Sequence, residues 1–414
     1  MKKLRSIGVL LASFWCLGIL KVDAAKLFAL DVTWNNGADQ VFAENSSFPD
    51  LIHSFVDQSD DFSGISGNVY EGSLRYYGLP DALNIALDLN QYTLHVTSQI
   101  TGLDVTLEGV DEEDLTRKFV DWMEGDGSSA SSEFLREIIK FSAATITDGN
   151  PGSTTALLAG STFRSFGLFQ GSARGQTTRG FESGAHIGFW VSSSAYEINT
   201  PVGKMEGERT RIDIPVWFHF GSRVSLVSNT TFDYNSLEGT EFYGFGTDLG
   251  FAFRPVLRSG EDRFGWHVTP FVGGYGMGSY DGVTAAVLGQ YGLLNRFEWR
   301  VFDRSLISVV SQYTSFKNMD VKVSDYSLTT PIDQNILKNG IMFDAPVFSL
   351  QSLYANLYVI DTRFLEEAKV DNFQTLGGGL SFRLQKFGVN AYVEGDYTDD
   401  YQGLNAGLGL VWDI

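Results

Sequence analysis

Five histidines, His53, His95, His186, His219 and His267, are the side chains best suited to proton transfer near neutral pH. A hydrolase would need one of them within hydrogen-bond reach of a serine or an acid, with a third group orienting the base. Serines are plentiful, so a His/Ser pairing by itself carries little information. Neither a metalloprotease helix motif nor a nucleophile elbow is present. Three of the histidines, His186, His219 and His267, fall on the polar face of alternating segments. There they read as polar filling, and a catalytic set acting on lipid or peptide is the alternative. The same polar face carries Arg211, Asp213, Asp248, Arg254, Arg296, Glu298, Arg300, Arg383, Glu394 and Asp396. Such a set can form a charged constriction that selects solutes, or an interior whose charges satisfy one another. Both signs occur together, which favours the second. The acids in 396–400 lack a calcium-loop spacing and a glycine at the turn, and read as a solvated outer loop. The sequence calls for no catalytic residue, metal or cofactor.

The elements that must position these residues begin after a leader. Lys2, Lys3 and Arg5 precede an uncharged, mostly apolar run over 7–20, and Val22-Asp23-Ala24 supplies small residues at −3 and −1. Fourteen residues rise about 21 Å as a helix, short of the roughly 30 Å hydrocarbon core, so 1–24 is read as a cleaved signal peptide. The only cysteine, Cys16, lies inside it, so disulfide and thiolate chemistry are not expected of the remainder. Removing the leader leaves 26 basic and 49 acidic residues, a formal charge of −23. That balance argues against nucleic acid as a partner. Glycine is 45 of 414 residues, aromatics are 14% and charged residues 19%, against about 25% charged in ordinary globular chains. No run of 18 apolar residues follows the leader, so any membrane crossing is left to strands.

From 184 onward the pattern has period two. Ile212, Ile214, Val216, Phe218 and Phe220 alternate with Arg211, Asp213, Pro215, Trp217 and His219. Tyr243, Phe245, Thr247, Leu249, Phe251 and Phe253 alternate with Gly244, Gly246, Asp248, Gly250, Ala252 and Arg254. Each segment therefore has an apolar face and a face of polar residues and glycine. The segments run past the ten or so residues that cross a bilayer as a tilted strand. Twelve are predicted, near 184–199, 207–220, 222–234, 241–256, 264–277, 283–301, 304–319, 334–345, 350–364, 373–385, 387–398 and 403–414. Connections after the even-numbered segments read as short. Longer polar links are expected after segments 1, 3, 7, 9 and 11, the longest over 320–333. That alternation, with an even strand count, places both barrel ends in the periplasm.

On the last segment Leu404, Ala406, Leu408, Leu410, Trp412 and Ile414 share one face. Here the chain resembles bacterial outer-membrane barrels, whose final strand ends in an apolar alternation. Their usual last residue is aromatic, and Ile414 departs from that. The resemblance implies that Leu408, Leu410, Trp412 and Ile414 form the signal read by the barrel-assembly machinery. Twelve strands after a helical segment resemble the autotransporter translocator, in particular solitary barrels without a long passenger. The implied fold is mainly β, a twelve-stranded antiparallel transmembrane barrel over 184–414. The implied place is the outer membrane of a Gram-negative bacterium, in contact with its lipids. The implied task is a pore for small solutes or a surface anchor, without enzymatic activity.

Residues 25–150 read as a separate α+β module. Strands are predicted around 85–89, 92–96 and 103–107. A helix starts after the acids of 111–114, where the helix dipole favours negative charge, and buries Leu115, Phe119 and Met123. A second helix over 132–144 is expected to bury Phe134, Leu135, Ile138, Ile139 and Phe141. A third begins at Asn150-Pro151 and carries Leu157, Leu158, Phe163 and Phe166; it and a linker fill 151–183. The module is expected to be periplasmic, or a plug, since a lumen of twelve strands is too narrow for all of it.

Overall fold

The computed structural model describes residues 26–34, 39–59, 69–123, 129–145, 147–168, 184–256, 263–282, 284–302, 305–319, 321–323, 326–328, 332–347, 352–384 and 386–414. The leader lies outside them.

The first unit is a six-stranded antiparallel sheet. Its strands are β1 (Phe28–Trp34), β2 (Asp39–Asn45), β3 (Val69–Tyr76), β4 (Leu79–Asp88), β5 (Thr93–Thr97) and β6 (Asp104–Glu108), in the order β2-β1-β3-β4-β5-β6. Helices α1 (Phe48–Ser59), α2 (Glu112–Met123) and α3 (Ser129–Phe141) accompany it. Leu115, Phe119 and Trp122 of α2 and Phe134 and Ile138 of α3 join one apolar cluster with the sheet. Two expectations change here. The sheet has three strands before 79 that the sequence reading did not find, and Phe141, expected to be buried, is 42% exposed. Phe141 is the last residue of α3, where the helix leaves its packed face. The side chains of Met123 and Leu135 lie outside the described set.

The second unit is a closed antiparallel barrel of twelve strands. They are β7 (Gly184–Thr200), β8 (Gly203–His219), β9 (Val224–Leu237), β10 (Thr240–Val256), β11 (Phe264–Ser279), β12 (Thr284–Arg300), β13 (Leu306–Asn318), β16 (Asp333–Pro346), β17 (Leu353–Phe364), β18 (Asn372–Leu384), β19 (Phe387–Thr398) and β20 (Tyr401–Asp413). A small hairpin, β14 (Val321–Val323) and β15 (Tyr326–Leu328), lies in the connection after β13. The ring closes between its ends, with Tyr401 opposite Ile198 and Asp413 opposite His186. The apolar alternation forms the outer wall: Phe218, Tyr243, Leu249, Leu293, Leu376, Leu408 and Trp412 are all exposed. This is the outward apolar face that a bilayer-spanning barrel needs.

The alternation of connection lengths survives only in part: the longest connection is 319–332, as expected, and 365–371 is a longer link. On the side expected to carry long links, 201–202, 238–239 and 399–400 are two-residue turns. Glu238 and Gly239 have φ of 52° and 86°, the paired positive values of a tight hairpin turn whose twist matches its strands. The polar stretches read as loops are instead the ends of strands. A 17-residue strand extends about 55 Å, more than a tilted crossing of a 30 Å core requires, so its polar end continues as sheet beyond the apolar band. The acids of 396–400 are corrected in the same way, from an outer loop to the end of β19 and a turn. Thr375 Oγ1 donates to Asp396 Oδ1 at 2.5 Å there.

The route of the chain is the second correction. The module was expected on the side of the barrel's own ends. It docks instead on the opposite mouth, where the turns 238–239 and 280–282 and the connection 365–371 lie. Phe48 N donates to Asp281 O at 2.7 Å, Ser46 Oγ to Glu238 O at 2.6 Å, and Lys369 N to Ile139 O at 3.1 Å. Module residues Leu27, Phe28, Tyr76 and Tyr77 share one apolar cluster with Tyr196, Ile198, Met205, Leu237, Phe242 and Tyr401 of the barrel. Helix α4 (Thr154–Thr162) then enters the barrel from that mouth and continues as a π-helical turn over Phe163–Leu168. Strand β7 begins at the far end.

A charge placed in the shared cluster would separate module from barrel, because a buried unpaired charge is strongly unfavourable. Met205→Asp, on the barrel side, is expected to leave the barrel folded by heat-modifiable gel migration. It should raise the rate at which protease removes residues 26–141 at least tenfold.

Candidate functional site, a lumen filled by its own chain

Nearly every residue of α4 is buried, so its polar atoms must find partners in the wall. Ser153 caps the helix, accepting from Ala156 N. Small residues, Ala156, Ala159, Gly160 and Ser161, let the helix lie close to the strands. Leu158 and the alanines pack on Tyr275, Leu288, Phe316 and Ile336. Wall side chains reach the helix backbone: Gln312 Nε2 donates to Ala159 O at 2.9 Å and Arg209 Nη2 to Gly152 O at 2.5 Å. Arg296 Nη1 donates to Gly167 O. A Cβ on Gly167 would stand 2.8 Å from Val310, so this position requires glycine for its close approach.

Charged wall residues form the next layer. Ser161 Oγ donates to Asp213 Oδ1 at 2.5 Å, Thr162 Oγ1 to Asp248 Oδ2 at 2.6 Å, and Arg164 Nη2 to Glu394 Oε1 at 2.6 Å. Arg211 Nε lies 3.0 Å from Asp213 Oδ2, and Arg296 Nε lies 2.9 Å from Glu298 Oε1. Tyr358 Oη and Asn405 Nδ2 also donate to Glu394, at 2.9 and 2.8 Å. Arg211, Asp213, His219, Asp248, Arg254, Arg296, Glu298 and Glu394 are all buried. Arg300 is half-buried, and the Arg383 side chain lies outside the described set. The structure thus brings Arg211, Asp213, Asp248, Arg296 and Glu394 onto the helix segment, Arg211 Nη1 donating to Leu157 O at 3.5 Å; Arg254 Nη1 donates to Ser222 O at 3.0 Å.

Sequence reasoning missed an inward apolar layer. Phe163, Phe166 and Leu168 are completely buried, in a ring that includes Trp190, Trp217, Phe271, Leu294, Val310, Met342, Tyr392 and Val411. Single apolar residues on otherwise polar faces, such as Trp217 between Asp213 and His219, were the available signal. They are spread over many strands, and only closure gathers them at one level.

The described histidines lie in three separate surroundings, two in the lumen and one on the module sheet. His219 Nδ1 lies 2.6 Å from Ser225 Oγ, but that serine is completely buried. Asp413 pairs with His186 Nδ1 at 2.6 Å. His186 and His219 stack edge to face at 4.8 Å, and His267 Nε2 stands 3.7 Å from Glu298 Oε1. His95 pairs with Asp104 at 2.7 Å on the module sheet. The His53 side chain lies outside the described set. Among the described residues no group of three or more His, Cys, Asp or Glu could hold a metal ion. Leu408, Leu410, Trp412 and Ile414 lie on the outer wall, exposed.

At the module end of the lumen, burial pushes the Asp148 carboxyl up to about 7, and the charge of Glu366 acts in the same direction. Hydrogen bonds from Thr155 Oγ1, at 2.6 Å, and Gly149 N, at 2.7 Å, oppose this. Because the folded value exceeds the unfolded 3.8, this group favours the folded state fully below pH 3.8 and loses that contribution as pH rises to about 7.

No family model matches the sequence, and no curated protein matches it. Among solved structures, the translocator domain of autotransporter NalP from Neisseria meningitidis is similar with a TM-score of 0.42 and 10% identity, over 62% of this chain and 97% of that one. The beta domain of the Bordetella autotransporter Brka gives 0.40 and 9%, over 55% and 99%. An outer membrane channel from Pseudomonas putida F1 gives 0.42 and 13%, over 58% and 99%.

Two outcomes follow from the lumen. Glu394→Ala should lower stability by about 3 kcal/mol, since it strands the Arg164 charge, and Arg164→Ala/Glu394→Ala should lose less than the sum of the single changes. A double-mutant cycle on the temperature of the gel-mobility transition reads this. In wild type that temperature should fall between pH 5 and 7.5, and Asp148→Asn should flatten the slope. The architecture is twelve antiparallel strands closed around a helix that comes from the chain's own N-terminal side.

Proposed function

We propose that this protein is a non-enzymatic outer-membrane anchor that holds its α+β module on the outer mouth of a barrel sealed by its own chain. The observation that carries this reading is the occupied lumen: a helix hydrogen-bonded to the wall at Ser161 and, through the turn that follows it, at Arg164, beside an inward apolar cluster around Phe163 and Phe166. An even strand number puts both barrel ends on one side, and entry from the periplasm makes that side the inner one. The module docks at the other mouth and is therefore read as facing outward, in place of the periplasmic position expected earlier. The module itself is strongly acidic, with 22 acids against 6 basic residues in 26–150. A pore for small solutes is the second reading; it would require the segment 147–168 to leave the lumen. A hydrolase through His186, His219 and His267 is disfavoured by the complete burial of Ser225, the serine beside His219.

Cysteine labelling on intact cells tests the side. Val110→Cys, 79% exposed on the module, should react with a membrane-impermeant maleimide on whole cells. Arg223→Cys, in the turn after β8, should react only after lysis. The reverse pattern would return the module to the periplasm. In planar bilayers the full chain should show no steady conductance, and sustained open channels from folded protein would favour the pore.

A further inference from the structure

The outer wall of the barrel carries an apolar groove of about 650 Å³ that reaches over β8, β9, β10, β11 and β12. Its floor belongs to β11. Outward positions on that strand alternate, and three in succession, Gly274, Gly276 and Gly278, have no side chain. They pair with Thr247, Phe245 and Tyr243 of β10 on one side. On the other they pair with Gly289, Val287 and Ala285 of β12. The β10 side is built up by aromatic pairs, Phe232–Phe245 at 4.8 Å and Tyr234–Tyr243 at 5.4 Å between ring centroids. Both tyrosine hydroxyls are already engaged, donating to Glu241 at 2.6 and 3.1 Å.

The space around Gly274 and Gly276 gives no steric reason for glycine. On the neighbouring strand Gly244 and Gly246 are required, because the Tyr275 ring occupies the space where their Cβ atoms would stand. At Gly276, by contrast, a Cβ would meet nothing within 4 Å, and at Gly274 its nearest neighbour would be a carbonyl oxygen 4.0 Å away. Glycine inside a strand costs conformational entropy and contributes no packing. Side chains could be present at Gly274 and Gly276 without a clash, and their absence leaves a trough. Its volume falls within the roughly 300–1,000 Å³ range of small-molecule sites. Gly276 and Gly278 line it, and Gly274 extends the side-chain-free row to about 14 Å along the strand, close to half of a 30 Å hydrocarbon core.

We propose that this groove holds one acyl chain of a membrane lipid, more tightly than the lipids around the rest of the wall. The proposal rests on the membrane reading above. The groove is continuous with the exposed apolar wall at Leu249, Val272, Tyr291 and Leu293, so hydrocarbon is the medium that meets it. A void there would forfeit dispersion contacts on every lining atom. A flexible chain lying in it touches aromatic rings on one flank, aliphatic side chains on the other and bare backbone beneath, against one contact face elsewhere on the wall.

The test reconstitutes the full chain in vesicles of phosphatidylethanolamine and phosphatidylglycerol, extracts it in mild detergent and counts retained lipid by native mass spectrometry. Wild type should keep one lipid per barrel. Gly276→Phe should reduce that occupancy at least fivefold, and Gly274→Leu, a second variant for the case that the first does not fold, should do the same. Leu376→Phe, on β18 and outside the groove, should retain lipid as wild type does. Failure to insert into vesicles would sink the membrane reading. Insertion with no retained lipid, or with equal retention in the glycine variants, would overturn the groove alone. So would a barrel dimer that these variants abolish, since a second copy would then be the occupant.

Discussion

Closing twelve strands into a ring removes every sheet edge and gives each strand residue one of two surroundings. Outward side chains meet one continuous apolar medium; inward ones meet whatever fills the ring. Because the side-chain period is two, a slip of one residue in any strand would exchange the two sets. The inner set of this barrel contains Arg211, Asp213, Arg296, Glu298 and Glu394, and the outer set contains Phe218, Leu249 and Leu408. Both halves of that sorting hold each strand in place, and the rest of the molecule is organised around what it leaves inside.

What it leaves inside is charge that must be paired. Ionised side chains removed from water are tolerated only with opposite charges and hydrogen bonds at hand. The wall supplies some of its own partners, as Arg296 does for Glu298, and α4 with the π-helical turn after it supplies others. Arg164 reaches Glu394, while Ser161 and Thr162 reach Asp213 and Asp248. The helix is thus as much a counterpart of the wall as a plug in it. Beyond it, Phe163 and Phe166 fit an inward apolar ring, so the segment is held by packing at one level and by polar contacts at another.

The module is joined to the mouth by the same logic on a larger scale. Strands such as β7 and β8 continue past the apolar band, and their ends present Ile198 and Met205 to the module's Leu27, Phe28 and Tyr77. A sheet of six short strands has limited apolar area of its own, and sharing a core with the barrel gives it more to bury. The outer wall differs in kind: its glycines at 274 and 276 keep side chains away where the fold would admit them.

The barrel was legible in the sequence because its cause is local. Period two, segment length and the final alternation to Ile414 are properties of consecutive residues, and they determined twelve strands and which residues face outward. Helices α2 and α4 were legible for the same reason, through the acids of 111–114 and the Asn150-Pro151 start, although Ser153 is the residue that caps. Some connection lengths were misread because polar composition marks solvent and not the end of a strand. Tertiary structure alone decided the rest. The mouth that receives the module depends on contacts between residues as distant as Phe48 and Asp281. The apolar ring around Phe166 depends on closure bringing one residue from each of many strands to the same height. No stretch of neighbouring residues carries either relation, because both are distances across the barrel and not along the chain.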